Sequence, residues 1–267
     1  MPFIQLSTSQ VHYSDFLSGD FAASYTPSST IKKTVVFIHG LGSSQNFYSP
    51  LIPLLPAGYR CILLDSPGSA RSSLPQKGVT IRSIAETALE LVEKLNITGK
   101  FSVVGHSMGC LVVEHIAQLA GERVEEMVML GPVYPSEQLA DVFGARIKTV
   151  KENGMEAMGN TVPKTALGPA ATTTQRAIVR ELLLGQTVEG YSALCNAIAT
   201  STVGEPEKVK AKTLIIAGSE DKSAPLDGCK KHQKDLNAEL EIQEGMGHWH
   251  VVERPEEMAK SLARFFG

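Results

Sequence analysis

Five short apolar runs punctuate the chain: TVVFIHG (34–40), RCILLDSPG (60–68), FSVVGHS (101–107), EEMVMLGP (125–132) and KTLIIAGSED (212–221). Each ends in turn residues. Each is apolar along most of its length rather than at alternate positions, the mark of a strand covered on both faces of a parallel sheet. Segments of helical spacing lie between them, as in TIRSIAETALELVEKL (80–95), where Ile81, Ile84, Ala88, Leu91, Val92 and Leu95 form one stripe. This alternation restricts the chain to βαβ units in an α/β fold, a doubly wound, mostly parallel sheet. The first 30 residues, including FIQLSTSQVHYSDF, alternate like a half-exposed strand and are expected at an antiparallel edge. From Pro135 to about Pro206 the pattern is helical without a strong strand, which predicts a helical cap inserted at the C-terminal edge of the sheet. The expected organisation is one core built from residues 1–134 and 207–267, with the cap at 135–206.

A chain of 267 residues can bury one sizeable core. Its 25 basic and 28 acidic residues are nearly balanced, with no Lys/Arg block interleaved with aromatics, so the expected partner is a small molecule rather than nucleic acid or a membrane. MPFIQLSTSQ has neither a basic n-region nor an apolar h-region, and no apolar run reaches the roughly 18 residues of a membrane span, so a soluble, cytoplasmic protein is expected. Cys61, Cys110, Cys195 and Cys229 are far apart and form no CxxC. They read as reduced, packed thiols rather than disulfides or metal ligands.

GHSMG (105–109) is a G-x-S-x-G between a strand and a helix, the setting of a nucleophile elbow. At so sharp a turn the serine takes strained dihedrals, and side chains beside it would strike neighbouring backbone, so Gly105 and Gly109 fit. The helix that follows would aim free N–H groups and a partial positive charge at Ser107. The alternative is an ordinary N-cap serine.

A serine needs a base, and the base needs an orienting acid. Asp221 stands in the exit loop of the KTLIIAG strand, and His248 stands in the glycine-bearing loop of LEIQEGMGHWHVVERPEEM. His250 competes as base, and Asp227 and Glu220 compete as acid. His248 is preferred because Gly245 and Gly247 allow a tight approach. HWH has no third ligand beside it, and no metal or other cofactor is expected.

With Ser107, Asp221 and His248 in that chain order, the sequence resembles α/β-hydrolase-fold serine hydrolases over nearly its whole length. The resemblance implies that FIHGLGSS supplies an oxyanion loop, with the backbone N–H groups of Leu41 and Met108 as the oxyanion hole. The family's D-x-x-G-x-G-x-S segment stands here as DSPGSARS (65–72), with Ala70 in place of the second glycine. GHWHVVERP matches the family's H-x-x-x-x-E-x-P tail through His248, Glu253 and Pro255.

Within that family, ARIKTVKENGMEAM (145–158) and EGYSALCNAIAT (189–200) resemble 3-oxoadipate enol-lactonases and their relatives. The implied activity is hydrolysis of a small lactone or carboxylic ester through an acyl-enzyme. Three other readings share the core: a C–C bond hydrolase, since Trp249 follows His248; a perhydrolase; and a slow-turnover ligand receptor. An enol-lactonase would need a cation for its substrate's free carboxylate. Arg146, Lys148, Arg176 and Arg180 are available in the cap, and each is expected on a solvated helix face.

Overall fold

The computed structural model describes residues 2–19 and 30–267. In chain order the elements are β1 (Phe3–Gln5), β2 (Gln10–Leu17), β3 (Lys33–Ile38), β4 (Tyr59–Leu64), α1 (Ile81–Lys94), β5 (Phe101–His106), α2 (Met108–Ala120) and β6 (Val124–Leu130). Then come α3 (Glu137–Asn153), α4 (Glu156–Thr165), α5 (Thr173–Leu184), α6 (Val188–Ala199), β7 (Lys212–Gly218), α7 (Leu226–Leu236), β8 (Glu239–Gln243), α8 (His250–Glu253) and α9 (Pro255–Phe266). The strands form one sheet in the order β1-β2-β4-β3-β5-β6-β7-β8. From β4 to β8 all neighbours are parallel, while β1 and β2 pair antiparallel at one edge. The edge expected over the first 30 residues is thus seen in β1 and β2, and its stretch from 20 to 29 lies outside the described residues.

Every residue of β4 and β5 is buried, and β3, β6 and β7 are buried over four or more consecutive positions, as continuous apolar runs demand. The stripe of α1 turns Ile81, Ile84, Ala88, Leu91 and Val92 into the same core, and the helix starts on a capping box in which Thr80 and Ser83 satisfy each other's backbone N–H. Between β6 and β7 the chain is helical: α3 to α6, three of which open on a Ser or Thr cap, at Ser136, Thr172 and Thr187. Ala70, where the family motif has glycine, takes φ +46°, and its N–H is held by the Gln186 side chain at 3.1 Å. The turn therefore keeps its left-handed residue at the expense of some backbone strain.

Parallel strands place their C-terminal ends along one edge, and loops leaving that edge converge there. Leu41 follows β3, Ser107 follows β5, Asp221 follows β7 and His248 follows β8. The sheet order sets β5 at its centre, with β7 and β8 successively to one side.

Away from that edge, Glu114 of α2 is buried, with its nearest cation-forming group, His232 of α7, at 3.7 Å and the Gln118 amide at 3.4 Å. Burial, helped by the Asp235 charge, pushes its carboxyl up to about 7. His232 is itself held below its usual range by burial, so it supplies little charge in return. A raised carboxyl stabilises the fold fully below its unfolded value and progressively less as pH rises through the folded one. Stability is therefore expected to fall by roughly 2–3 kcal/mol between pH 5 and 8 from this group. Urea titrations across that range check it, and Glu114→Gln should flatten the slope.

Candidate active site

No loop separates β5 from α2: Ser107 alone makes the turn, at φ 52° and ψ −115°. A non-glycine residue there costs on the order of 1–3 kcal/mol, a strain found where position matters more than comfort. A Cβ on Gly105 would collide with the Gly109 backbone, and one on Gly109 would collide with the Ile38 carbonyl, which is why the elbow needs both glycines. Ser107 stands at the N-cap position of α2, but its side chain makes no cap bond and its backbone is not extended. The N-cap alternative is therefore excluded, and the hydroxyl is free for chemistry.

The hydroxyl-bearing residue opens into a cavity of about 440 Å³, whose wall also includes Leu41, His248 and Trp249. A Cβ placed on Gly40 would lie 3.0 Å from the Ser107 Cβ, so the backbone entering Leu41 passes directly over the serine. Met108 is the first residue of α2 and is fully buried. Among the described residues neither the Leu41 nor the Met108 N–H has a backbone acceptor.

His248 Nδ1 lies 2.7 Å from Asp221 Oδ2. The other carboxylate oxygen, Oδ1, accepts from the Ser223 and Ala224 N–H groups, each at 2.8 Å. Burial alone would raise the Asp221 carboxyl, but the charge and hydrogen bond of His248, the nearby His250 and the Ala224 N–H outweigh it and hold it below its usual range. Asp221 is thus an anion at neutral pH, and an imidazole beside it carries its proton on Nδ1, leaving Nε2 as the acceptor. Asp227 and Glu220 are exposed and do not bond His248.

Two further histidines flank this pair. His106 Nε2 and His250 Nδ1 both approach the His248 carbonyl oxygen, at 2.7 and 2.8 Å. A carbonyl only accepts, so each ring donates. Burial first, then the neighbouring imidazoles, lowers His106 well below its usual range; burial also lowers His250, against the Asp221 charge that would raise it, so both stay neutral. His250 thus turns its Nδ1 to the His248 backbone, while the Asp221 carboxylate bonds the His248 ring. Among the described residues no group of three or more His, Cys, Asp or Glu side chains could hold a metal ion. All four cysteines are free and buried, and burial pushes the Cys110 thiol far up, so the thiol nearest the elbow is inert.

The carboxylate of Glu253 accepts from the N–H groups of Gly247 and Trp249, both at 3.0 Å, on either side of His248, and from Gly168 at 2.8 Å between α4 and α5. The His248 N–H itself donates to Ala166 O at 2.7 Å. This is the physical content of the H-x-x-x-x-E-x-P pattern: one carboxylate staples the histidine loop to the turn between α4 and α5. Glu253→Gln replaces one acceptor oxygen with a donor that faces an N–H. It should cost about 1–3 kcal/mol of stability and roughly 10- to 100-fold in kcat, read by urea unfolding and steady-state kinetics.

Sequence reasoning did not single out Gly131, just past β6 at φ +55°, where a Cβ would lie 2.9 Å from Asp221 Oδ2 and 2.7 Å from the His250 ring. A glycine directly after a strand, in MLGP, was the available signal. Of the four cations expected in a cap, Lys148 is exposed, Arg176 bonds Pro163 O and Arg180 pairs with Glu156 and Glu181. Arg146 departs from the expected solvated face: it lines the cavity.

A sequence model of the α/β hydrolase fold matches residues 33–153. A 2-hydroxy-6-oxononadienedioate/2-hydroxy-6-oxononatrienedioate hydrolase of Pseudomonas putida is 27% identical, over 96% of this chain and 91% of that one. The monoacylglycerol lipase ABHD6 of Mus musculus is 23% identical, over 96% and 82% respectively. Among solved structures, the enol-lactonase of Burkholderia xenovorans superposes with a TM-score of 0.88 at 20% identity, covering 99% of each chain. An esterase of Thermogutta terrifontis gives 0.87 at 16% identity, over 100% and 98%. The chain has the α/β-hydrolase fold, and its relatives of that fold are hydrolases. No helix among the described residues is long and apolar enough to cross a membrane.

Proposed function

We propose that this protein is a serine hydrolase that cleaves a small lactone or carboxylic ester through an acyl-enzyme. His248, oriented by Asp221, removes the Ser107 proton as Oγ attacks the carbonyl carbon. The Leu41 and Met108 N–H groups stabilise the oxyanion, assisted by the N-terminal end of α2. His248 then protonates the leaving alcohol, and water repeats the attack on the acyl group. Residues 135–206 act as a cap that shapes the cavity and excludes bulk water. The observation that carries this reading is the strained, uncapped Ser107 opening into the same cavity as an Asp-paired histidine. The enol-lactonase and esterase neighbours support the substrate class.

A second reading, cleavage of a C–C bond beside a ketone by the same residues, is favoured by the Pseudomonas putida relative and by Trp249 in the cavity wall. Initial rates on lactones, enol-lactones and short p-nitrophenyl esters, with product analysis on a vinylogous diketone, separate the two. Ester or lactone turnover that dominates the panel supports the first. Carbon–carbon cleavage as the fastest reaction overturns it in favour of the second.

A further inference from the structure

His106 closes β5 and directly precedes Ser107, and it is buried. Its Nε2–H donates to the His248 carbonyl oxygen at 2.7 Å, across 142 positions of chain. The ring stacks on the fully buried Phe47, with centroids 4.3 Å apart and planes at 19°. Its Nδ1 lies 2.7 Å from where a Cβ on Gly40 would stand, so only a glycine there leaves room for the imidazole. One side chain therefore packs against the segment that follows β3, at Gly40 and Phe47, and bonds the loop that follows β8, at His248. Its own backbone leads into the elbow.

His248 reaches the site from β8, at the edge of the sheet, with β6 and β7 between it and β5. Its other ties lead elsewhere: the ring to Asp221 after β7, the N–H to Ala166 O, and the N–H groups on either side of it to Glu253. His250 bonds the same carbonyl at 2.8 Å, but from within the same stretch of chain. Among the described residues, the His106 bond alone joins residues 244–253 to residues 101–109 by a hydrogen bond. Proton transfer needs its heavy atoms within about 2.6–3.2 Å, and a misplacement of about 1 Å can cost on the order of 10²-fold in rate. A direct bond between the two segments fixes that spacing more tightly than packing passed through two intervening strands. With the proton on Nε2, Nδ1 of His106 is left without a partner, so the ring's one polar contact is with His248.

Resting on the hydrolase reading above, we propose that His106 is a positioning residue that sets the distance between the Ser107 hydroxyl and His248 Nε2, by tying the His248 main chain to the strand that carries the serine. It neither touches substrate nor moves a proton: the cavity wall includes Ser107, His248 and Trp249 but not His106. His248 takes a proton from serine in acylation and from water in hydrolysis, both from the same place. Cutting the tie therefore slows the two half-reactions and leaves binding alone.

The test measures kcat and KM for p-nitrophenyl butyrate on the full chain, in His106→Gln and His106→Asn, with Ser107→Ala as the blank. The glutamine amide nitrogen stands as many bonds from Cβ as Nε2 does in histidine, so it keeps a donor at His248 O; that of asparagine falls one bond short. Titrating reactive serines with diethyl p-nitrophenyl phosphate counts the competent sites, so that kcat is expressed per site and a poorly folded fraction does not enter it. His106→Asn should lower kcat by about 10- to 100-fold with KM within about twofold, and His106→Gln should lower kcat by no more than about threefold. Equal losses of kcat in the two variants overturn the proposal in favour of ring packing on Phe47. A KM that rises while kcat holds overturns it in favour of a substrate contact, and an asparagine variant as fast as the wild type shows that His248 is placed without the tie. Should His106→Asn yield no competent sites, a loss above about tenfold per site in His106→Gln overturns the proposal, and a smaller one supports it. Hydrolysis that persists in Ser107→Ala overturns the hydrolase reading itself.

Discussion

Ser107→Ala should lower kcat by roughly 10⁴- to 10⁶-fold while the protein stays folded. The loss is large because the strained turn has a single chemical product, an uncapped hydroxyl held at the mouth of α2 and facing the cavity. The structure should survive because that hydroxyl caps nothing: the elbow is held by the Ser107 N–H on Leu130 O and by the Cys110 N–H on Ser107 O, both at 2.9 Å and both retained in the alanine variant. Unfolding free energy should change by less than about 0.5 kcal/mol. Kinetics and a urea melt on one preparation check both halves. A dead but unfolded variant would show that the hydroxyl has a structural bond after all.

Asp221→Asn is expected to reduce kcat by about 10⁴-fold for a different reason. The Ser223 and Ala224 N–H groups, both on Oδ1, need an acceptor, so they pin the amide oxygen of the asparagine. Its NH2 group is thereby turned toward His248 Nδ1, where the wild type places Oδ2. The imidazole must then accept at Nδ1 and carry its proton on Nε2, the tautomer that cannot take a proton from serine. The wild-type carboxyl is held below its usual range, so its contribution to stability is present above the unfolded value near 3.9 and is lost only as pH falls through the lower folded value. Activity lost between neutrality and about pH 4 therefore does not come from Asp221. The pH–rate profile and the acid unfolding midpoint, measured for both proteins, test these statements together.

The sheet was legible because its signals are local and physical. A strand buried on both faces must be apolar at consecutive positions, and β3 to β7 are; α1 begins and ends within a residue of the stripe seen from Ile81 to Leu95. The two elbow glycines were legible because backbone crowding admits nothing else there. What was hidden depends on distant segments. Glu253 reads as part of a motif, but its three backbone donors come from two separate stretches of chain. Gly131 matters only because the His250 and Asp221 side chains stand where its Cβ would be. Arg146 did leave a trace: Leu139, Phe143, Arg146 and Val150 fall on one stripe of α3, with Phe143 and Val150 buried, so a charged residue on the apolar face of that helix was a pointer to the cavity.

Intact-mass analysis of the protein quenched during turnover of an activated ester, followed by peptide mapping, addresses Ser107 most directly. One acyl group per chain, attached to the peptide containing Ser107 and absent from Ser107→Ala, is the expected result. Rapid ester turnover with Ser107 unmodified, or with the acyl group on another side chain, would contradict the acyl-enzyme mechanism.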